Sequence, residues 1–361
     1  MPLGDKPRGE YMRRQSTLKR ILQLALGLAK RERIPRFSNK FSKKTFTQHQ
    51  LLVLGVLKTY WNKDYRSFAD FLLFANPVFQ FLRLKRIPHF TTLQKFLQRF
   101  DQTIFDQLIA AVFSQIAAVN RPIDVAVDGS GFTSSYCSRY FVMRINRETG
   151  YRSFMKMSIA VDPRSRALLA VKCRKAPSHD TKDFIPLLRR ADRSVGQRIR
   201  NVIADRAYDS CKNFHFIEKE LHAGAIIPLR VYRSRRAGRS TIRKHRPILP
   251  DSRIYGRRNL AETTFSVIKR KFGGDLRSRL TEVKKKEMKL KALVYNLCIL
   301  TTKKYLFIVG GFLQSPLKGS FKYKLCVYIV GDIDGECNSK QGNSISHNRQ
   351  DDFEKCCRLE K

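Results

Sequence analysis

Tryptophan occurs once in this chain of 361 residues, and acids are scarce, with 30 Asp and Glu against 72 Lys and Arg. No apolar run is long. Leu108 to Val119 and Tyr305 to Leu313 both fall short of the roughly 20 residues that a membrane span needs. The opening MPLGDKPRGEYMRRQS lacks the apolar core of a secretory signal. The eight cysteines stand singly apart from the adjacent Cys356 and Cys357. None forms a CxxC pair or has a His at zinc spacing, which excludes a zinc finger and a disulfide framework. These absences predict a reduced, cytoplasmic protein with no membrane partner. What remains is basic charge. A net charge of +42 repels itself unless a polyanion neutralises it, and the abundant intracellular polyanion is nucleic acid. A hydrophobic fraction of 42 % is enough to build a core around that charge.

At roughly 150 residues per domain the length suggests two or three domains. Residues 1–120 read as helical. Leu18, Ile21, Leu22, Leu24 and Leu28 recur at helical spacing, and a second helix is expected over Phe46–Tyr60 and a third over Ser67–Phe74. Pro77 and Pro88 are expected to break the chain into short pieces. Thr91 or Thr92 then caps a helix from Leu93, and another follows over about Ile104–Val119. Short basic helices packed by their apolar faces are how helix-turn-helix domains present a DNA-reading surface.

The pattern changes at Arg121. Ile123-Asp-Val-Ala-Val-Asp128 alternates as a strand and meets Gly129-Ser-Gly131. Tyr151–Val161 and Ala167–Cys173 form a hairpin around Asp162-Pro-Arg-Ser-Arg166. A helix from Ser178 to Leu188, a strand Asn201–Asp205, a helix Phe214–Leu221, a strand Ala225–Leu229 and a helix Asn259–Lys271 complete the order βββαβαβα. That order implies a mixed sheet flanked by helices over residues 121–302. The stretch 303–361 carries only +3 of the charge and a polar run from Asn338 to Asn348, and is expected to be a partly disordered tail.

Three carboxylates stand out in so basic a chain. Asp128 is expected to end the first strand, Asp205 the fourth, and Glu262 lies in the first turns of the last helix. Functional residues of open α/β sheets gather at the carboxyl ends of strands, so Asp128 and Asp205 are placed to share one edge. Three convergent carboxylates suit Mg²⁺ or Mn²⁺, and two such ions can act on both sides of a phosphodiester. A competing reading makes Asp128 a turn residue and lets Glu262 pair with Arg258 four residues earlier. Asp209 competes for the second Asp position, though a helix cap suits it better. His179-Asp180 precedes a helix and reads as its capping region rather than a metal site. Between Arg230 and Pro250 there are eight basic residues and no acid, including Arg235, Arg236 and Arg239. That composition fits a DNA-backbone clamp.

The segment Tyr255-Gly-Arg257-Arg258-Asn-Leu-Ala-Glu262-Thr-Thr-Phe-Ser-Val-Ile-Lys269 decides between the readings. Its spacing of Tyr, Arg, Glu and Lys resembles the Y-R-E-K signature of bacterial and archaeal insertion-sequence transposases of the DDE type. Arg258, Glu262 and Lys269 fall on about one face of a helix, so a carboxylate is flanked by two phosphate-gripping cations. The blocks around Asp128 and around Ile203-Ala-Asp205-Arg-Ala-Tyr are similar to the family's other two motifs, in the same order. The resemblance covers roughly residues 40–302. It implies an RNase H-like core preceded by an all-α, helix-turn-helix-like region. It implies Asp128, Asp205 and Glu262 as catalytic, metal-holding triad, with Tyr255, Arg257, Arg258 and Lys269 on DNA near the scissile phosphate. It further implies Mg²⁺ or Mn²⁺, two ions together, double-stranded DNA as substrate and target, a homodimer on DNA and a nucleoid-associated location. A DNA-binding protein that has lost catalysis is the alternative. Only 57 positions separate Asp205 from Glu262, none of them Trp. No large β-domain insertion with a Trp stacking platform is therefore expected, and Tyr232 or Tyr255 is the candidate substitute.

Overall fold

The computed structural model describes residues 16–117, 121–134, 154–176, 179, 181–196, 198–230 and 250–311, with side chains to Thr302. Its contacts group the chain through Gly310 as one unit and Gly311–Lys361 as another. All of the second unit beyond Gly311 lies outside the described residues, as do Arg235, Arg236, Arg239 and the expected polar tail.

Six helices come first: α1 (Thr17–Arg31), α2 (Gln48–Tyr60), α3 (Tyr65–Phe74), α4 (Asn76–Leu82), α5 (Phe90–Arg99) and α6 (Gln102–Ile116). Helix α1 buries Ile21, Leu22, Ala25, Leu28 and Ala29 on one face and ends on Lys30 and Arg31, which suit the negative end of its dipole. Helix α2 opens with a capping box between Thr47 and Gln50. Asp64 caps α3 by accepting from the backbone N–H of Arg66 and Ser67, both at 2.9 Å. The chain does fall into short helices here, broken at Ala75 and again before α5, with Pro77 in the first turn of α4, where its missing N–H is no loss. One expectation is corrected. Helix α5 is capped by the His89 ring, to which Thr91 N–H donates, rather than by Thr91 or Thr92. Trp61 is partly buried, with its ring edge-on to Phe71 at 4.5 Å between centroids.

The sheet follows. β1 (Ile123–Ser134), β2 (Met155–Val161), β3 (Leu168–Lys175), β4 (Ile199–Ala204) and β5 (Gly224–Ile226) lie in the order β3-β2-β1-β4-β5. The β1–β2 and β2–β3 pairs are antiparallel, and β1–β4 and β4–β5 are parallel. A two-residue strand, β6 (Asp275–Leu276), adds in parallel to the far end of β1 at Thr133 and Ser134. Helix α7 (Thr181–Val195) crosses from β3 to β4 and buries Phe184, Leu187, Leu188, Ala191 and Val195. Short helices lie at Cys211–His215 and Phe216–Glu220 before β5 and at Ser252–Tyr255 after it, and helices α8 (Asn259–Phe272) and α9 (Thr281–Gly311) follow. The mixed sheet flanked by helices is thus present. One buried cluster runs from Ile21 in α1 through the strands to Leu300 in α9.

Helix α9 has no counterpart in the sequence reading, and it continues past Thr302, where the tail was expected to begin. Its charged run Lys284 to Lys291 looks like a solvated face, yet Lys284, Lys286, Lys289 and Lys291 are buried. Lys286 donates to Gln98 O at 2.7 Å, and Lys289 to Asp106 at 2.8 Å. Lys291 donates to Gly273 O at 2.6 Å and Asp275 O at 2.9 Å. Burial holds the Lys291 ammonium down to about 8. Asn296 grips the edge of the sheet through both its amide atoms, accepting from Leu168 N–H at 2.9 Å and donating to Leu168 O at 2.8 Å. Among the described residues no helix is long and apolar enough to cross a membrane.

Candidate active site

Strand β1 does not stop at Asp128. It runs straight through Gly129-Ser130-Gly131 to Ser134, so the expected turn there is corrected to continuous strand. The reason is pairing. Gly129 to Phe132 stay in register with Ser158 to Met155 of β2, and Thr133 and Ser134 find β6 on the other side. Strand β4 does stop, at Ala204, opposite Val127 in the parallel register. The next residues along the two strands are Asp128 and Asp205, which therefore lie side by side where β4 ends and β1 runs on. Asp205 turns the chain into the short turn Arg206–Tyr208, accepting from Ala207 N–H at 2.9 Å. The cap of the next helix is Ser210 rather than Asp209. Asp209 is buried and accepts from Arg230 N–H at 2.6 Å.

Burial raises Asp128 above the usual carboxylate range. The Gly129 N–H and Arg258 oppose the shift, and the Asp205 and Glu262 charges add to it. Negative charge thus concentrates at this edge of the sheet. Behind it, Ser158 Oγ, Asp183 Oδ2 and Tyr208 Oη are buried without a hydrogen-bond partner among the described residues. The Tyr208 phenol is pushed far up, first by burial and then by Asp128, Asp205 and Asp183. Asp183 is held on its other oxygen by Arg174 Nε and Nη2, at 2.8 and 2.6 Å. Lys156, on β2, lies within reach of the Asp183, Asp128 and Asp205 charges, which partly offset the lowering effect of its burial.

Glu262 comes from the first turn of α8 and is half-exposed. Its carboxylate is paired with Arg258 Nη2 at 2.7 Å, the i,i+4 pair that the competing sequence reading proposed. Arg258 also lies over the Tyr255 ring, 5.9 Å from its centroid. Lys269, two turns on, donates to Ser130 Oγ at 2.7 Å, so the last residue of the signature is tied to the glycine-rich part of β1. Arg257 points elsewhere: its Nη1 meets Asp124 at 2.6 Å.

Asp124 was not singled out from the sequence. It is 6 % exposed and receives Arg200 Nε at 2.9 Å and Nη2 at 2.8 Å, Asn201 Nδ2 at 2.9 Å, and Arg257. Burial alone would raise its pKa, but these donors outweigh burial and hold the carboxyl low. The signal was present: Asp124 and Asp128 are four residues apart on one strand and so face the same way. Ser130 and Lys156 were likewise missed.

Among the described residues no three His, Cys, Asp or Glu side chains stand close enough to hold a metal ion together. The donor chemistry nevertheless fits a hard divalent cation. Two carboxylates adjoin, one of them resists ionisation, and the third lies within electrostatic range but is turned to Arg258.

No curated protein and no solved structure gives a significant match to the chain. A match to a family does exist, and it spans the sheet, both motif-bearing strands and most of α9. Residues 122–297 match the family described as "Transposase DDE domain", a match that supports a DDE-type transposase.

Proposed function

We propose that the protein is an insertion-sequence transposase that cleaves DNA at the element's terminal inverted repeats and joins the freed ends to target DNA, on an RNase H-like core. The observation that carries this is the juxtaposition of Asp128 and Asp205 at the end of β4, with Glu262 on a helix tied to the same strand. Asp128, Asp205 and Glu262 would hold Mg²⁺ or Mn²⁺, as one ion or as a pair. Bound there, the metal would activate the attacking water or 3′-hydroxyl and stabilise the leaving oxygen.

The rest follows from the chain's own side chains. Glu262 must leave Arg258 to join the two aspartates. A DNA phosphate is the natural competitor for that guanidinium, so seating the substrate and releasing the carboxylate are one event. Lys269, fixed to Ser130, offers a second cation on the same helix face. Tyr255 supports Arg258, whereas Arg257 serves by anchoring its turn to Asp124. The basic stretch with Arg235, Arg236 and Arg239 is assigned to the DNA backbone, the helices before β1 to the inverted repeats, and a homodimer to the paired ends.

The test is nicking of supercoiled plasmid by the purified protein in Mg²⁺ against EDTA, with DNA retention measured alongside. Asp128→Ala, Asp205→Ala and Glu262→Ala should each abolish nicking and leave retention nearly intact, because affinity rests on many phosphate contacts. Retention without nicking by the unaltered protein would establish the non-catalytic alternative.

A further inference from the structure

Strand β3 is an edge of the sheet, two strands from β1. Beside it lies a cavity of about 120 Å³, room for several water molecules. Four elements wall this cavity, and three of them bring cations to it: Lys172 from β3, Arg190 from α7, and Lys285 and Lys289 from α9. Helix α6 contributes Asp106, the one acid among the lining residues. Its Oδ2 meets Lys289 Nζ at 2.8 Å and Arg190 Nη1 at 3.0 Å, and its Oδ1 is buried without a partner among the described residues. Lys285 pairs with Glu282 at 2.6 Å. The Lys172 ammonium forms no hydrogen bond or ion pair among the described residues. Two acids thus answer four cations.

Like charges gathered in a recess repel one another more strongly than they would in open water. Burial and the Arg190 charge hold the Lys172 ammonium below its usual range, with Arg174 and Lys289 adding to the effect and only Asp183 opposing it. An oxyanion that accepts from several of these donors at once removes the repulsion and replaces water with charge-assisted hydrogen bonds. Donors that converge from β3, α7 and α9 suit a tetrahedral anion, which presents oxygens in several directions. Lys289 is only 4 % exposed, a depth suited to a free ion rather than to the backbone of a duplex. We infer that this cavity binds one small phosphate-class oxyanion through Lys172, Arg190, Lys285 and Lys289, and that the ion ties α6 and the edge strand to α7 and α9. The inference stands apart from the proposed function, since it uses none of the residues assigned to cleavage.

The experiment follows thermal denaturation of the full chain as inorganic phosphate replaces chloride at constant ionic strength. Phosphate should raise the Tm of the unaltered protein by several degrees and saturate, as a ligand of the folded state does. Lys172→Met keeps the aliphatic stem and removes one of the four charges. It should melt higher than the unaltered protein in chloride, because repulsion is relieved, and should lose most of the response to phosphate. Lys172→Glu carries its own anion and should behave in the same way. Lys219→Met, at an exposed position before β5 on the other edge of the sheet, should keep the full response and so controls for general screening of a chain of charge +42. Equilibrium dialysis against radiolabelled phosphate should count one more saturable site per chain in the unaltered protein than in Lys172→Met. An equal phosphate response in these two proteins, or an equal count of bound phosphate, would overturn the site. Retention of duplex DNA should be the same for both; a loss in Lys172→Met that matches its loss of phosphate would assign the oxyanion to a DNA backbone and overturn the free ion. No readout involves cleavage, so failure to nick plasmid would count against the proposed function alone.

Discussion

Consider Asp124→Asn. The wild-type carboxylate is buried and takes donors from Arg200, Asn201 and Arg257. Removing one partner of a fully buried ion pair costs about 3–5 kcal/mol. Here the arginines are 57 % and 48 % exposed, so water recovers much of their solvation, and asparagine keeps one acceptor oxygen. A loss of about 1–2 kcal/mol is therefore expected, a few degrees in Tm for a unit of this size. Because the folded state depresses this carboxyl, its contribution is complete above the ordinary Asp range and shrinks as pH falls below about 4. The gap between variant and wild type should close in the same window. Nicking should fall further than stability does, on the order of tenfold or more, because Arg257 no longer fixes the turn that sets Arg258 and Glu262. DNA retention should hold or rise, since the variant gains a unit of net positive charge and frees two guanidinium groups. Thermal denaturation, nicking rate and retention are read on the same preparation. A variant with wild-type Tm and wild-type nicking would show that Asp124 positions nothing.

Lys269→Met keeps the aliphatic stem but loses the bond to Ser130, and should slow nicking while leaving stability within about 1 kcal/mol of wild type, read by the same two assays. Gly273→Ala should destabilise by about 1–3 kcal/mol in denaturant titration, because Gly273 has φ +81° and a Cβ would meet the Asn62 side chain at 2.8 Å. Asp64→Ala removes the cap of α3 and should cost about 1 kcal/mol at neutral pH. Hydrogen bonds from the Ser67 hydroxyl and N–H hold Asp64 down to about 2, so that loss should fade as pH drops from about 4 toward 2, measured by denaturation at several pH values.

The elements with strong local signals could be read from the sequence. The apolar stripe of α1, the helix expected over Phe46–Tyr60 and the start of β1 at Ile123 depend on neighbours along the chain, and their positions match to within a few residues. What was not legible depends on partners distant in sequence. The Gly-Ser-Gly of β1 reads as a turn until β2 and β6 are present to pair it. Helix α9 was hidden because its lysines count as surface residues, and the carbonyls of Gln98, Gln102, Gly273 and Asp275 with the Asp106 carboxylate make burying them tolerable. The three carboxylates stood out for a compositional reason, as rare acids in a basic chain, whereas the spacing of Asp124 from Asp128 showed only a shared face and its partners Arg200, Asn201 and Arg257 came from the fold. Arg257 shows the limit most clearly. One position from Arg258, its guanidinium meets the Asp124 carboxylate, a partner 133 residues away that no local pattern announces.

Helix α8 is fastened to a single strand along its length. Arg257 meets Asp124 near the start of β1, Lys269 meets Ser130 past its middle, and the chain after the helix pairs at Thr133 and Ser134. The strand thus acts as the ruler against which Glu262 is placed. Length changes in the segment between β5 and Ser252 shift nothing on that ruler, since the helix takes its coordinates from β1 and not from the chain that leads into it. In evolutionary terms, the length of that segment is free to vary, by insertion or deletion, without displacing Glu262 from the strand that places it.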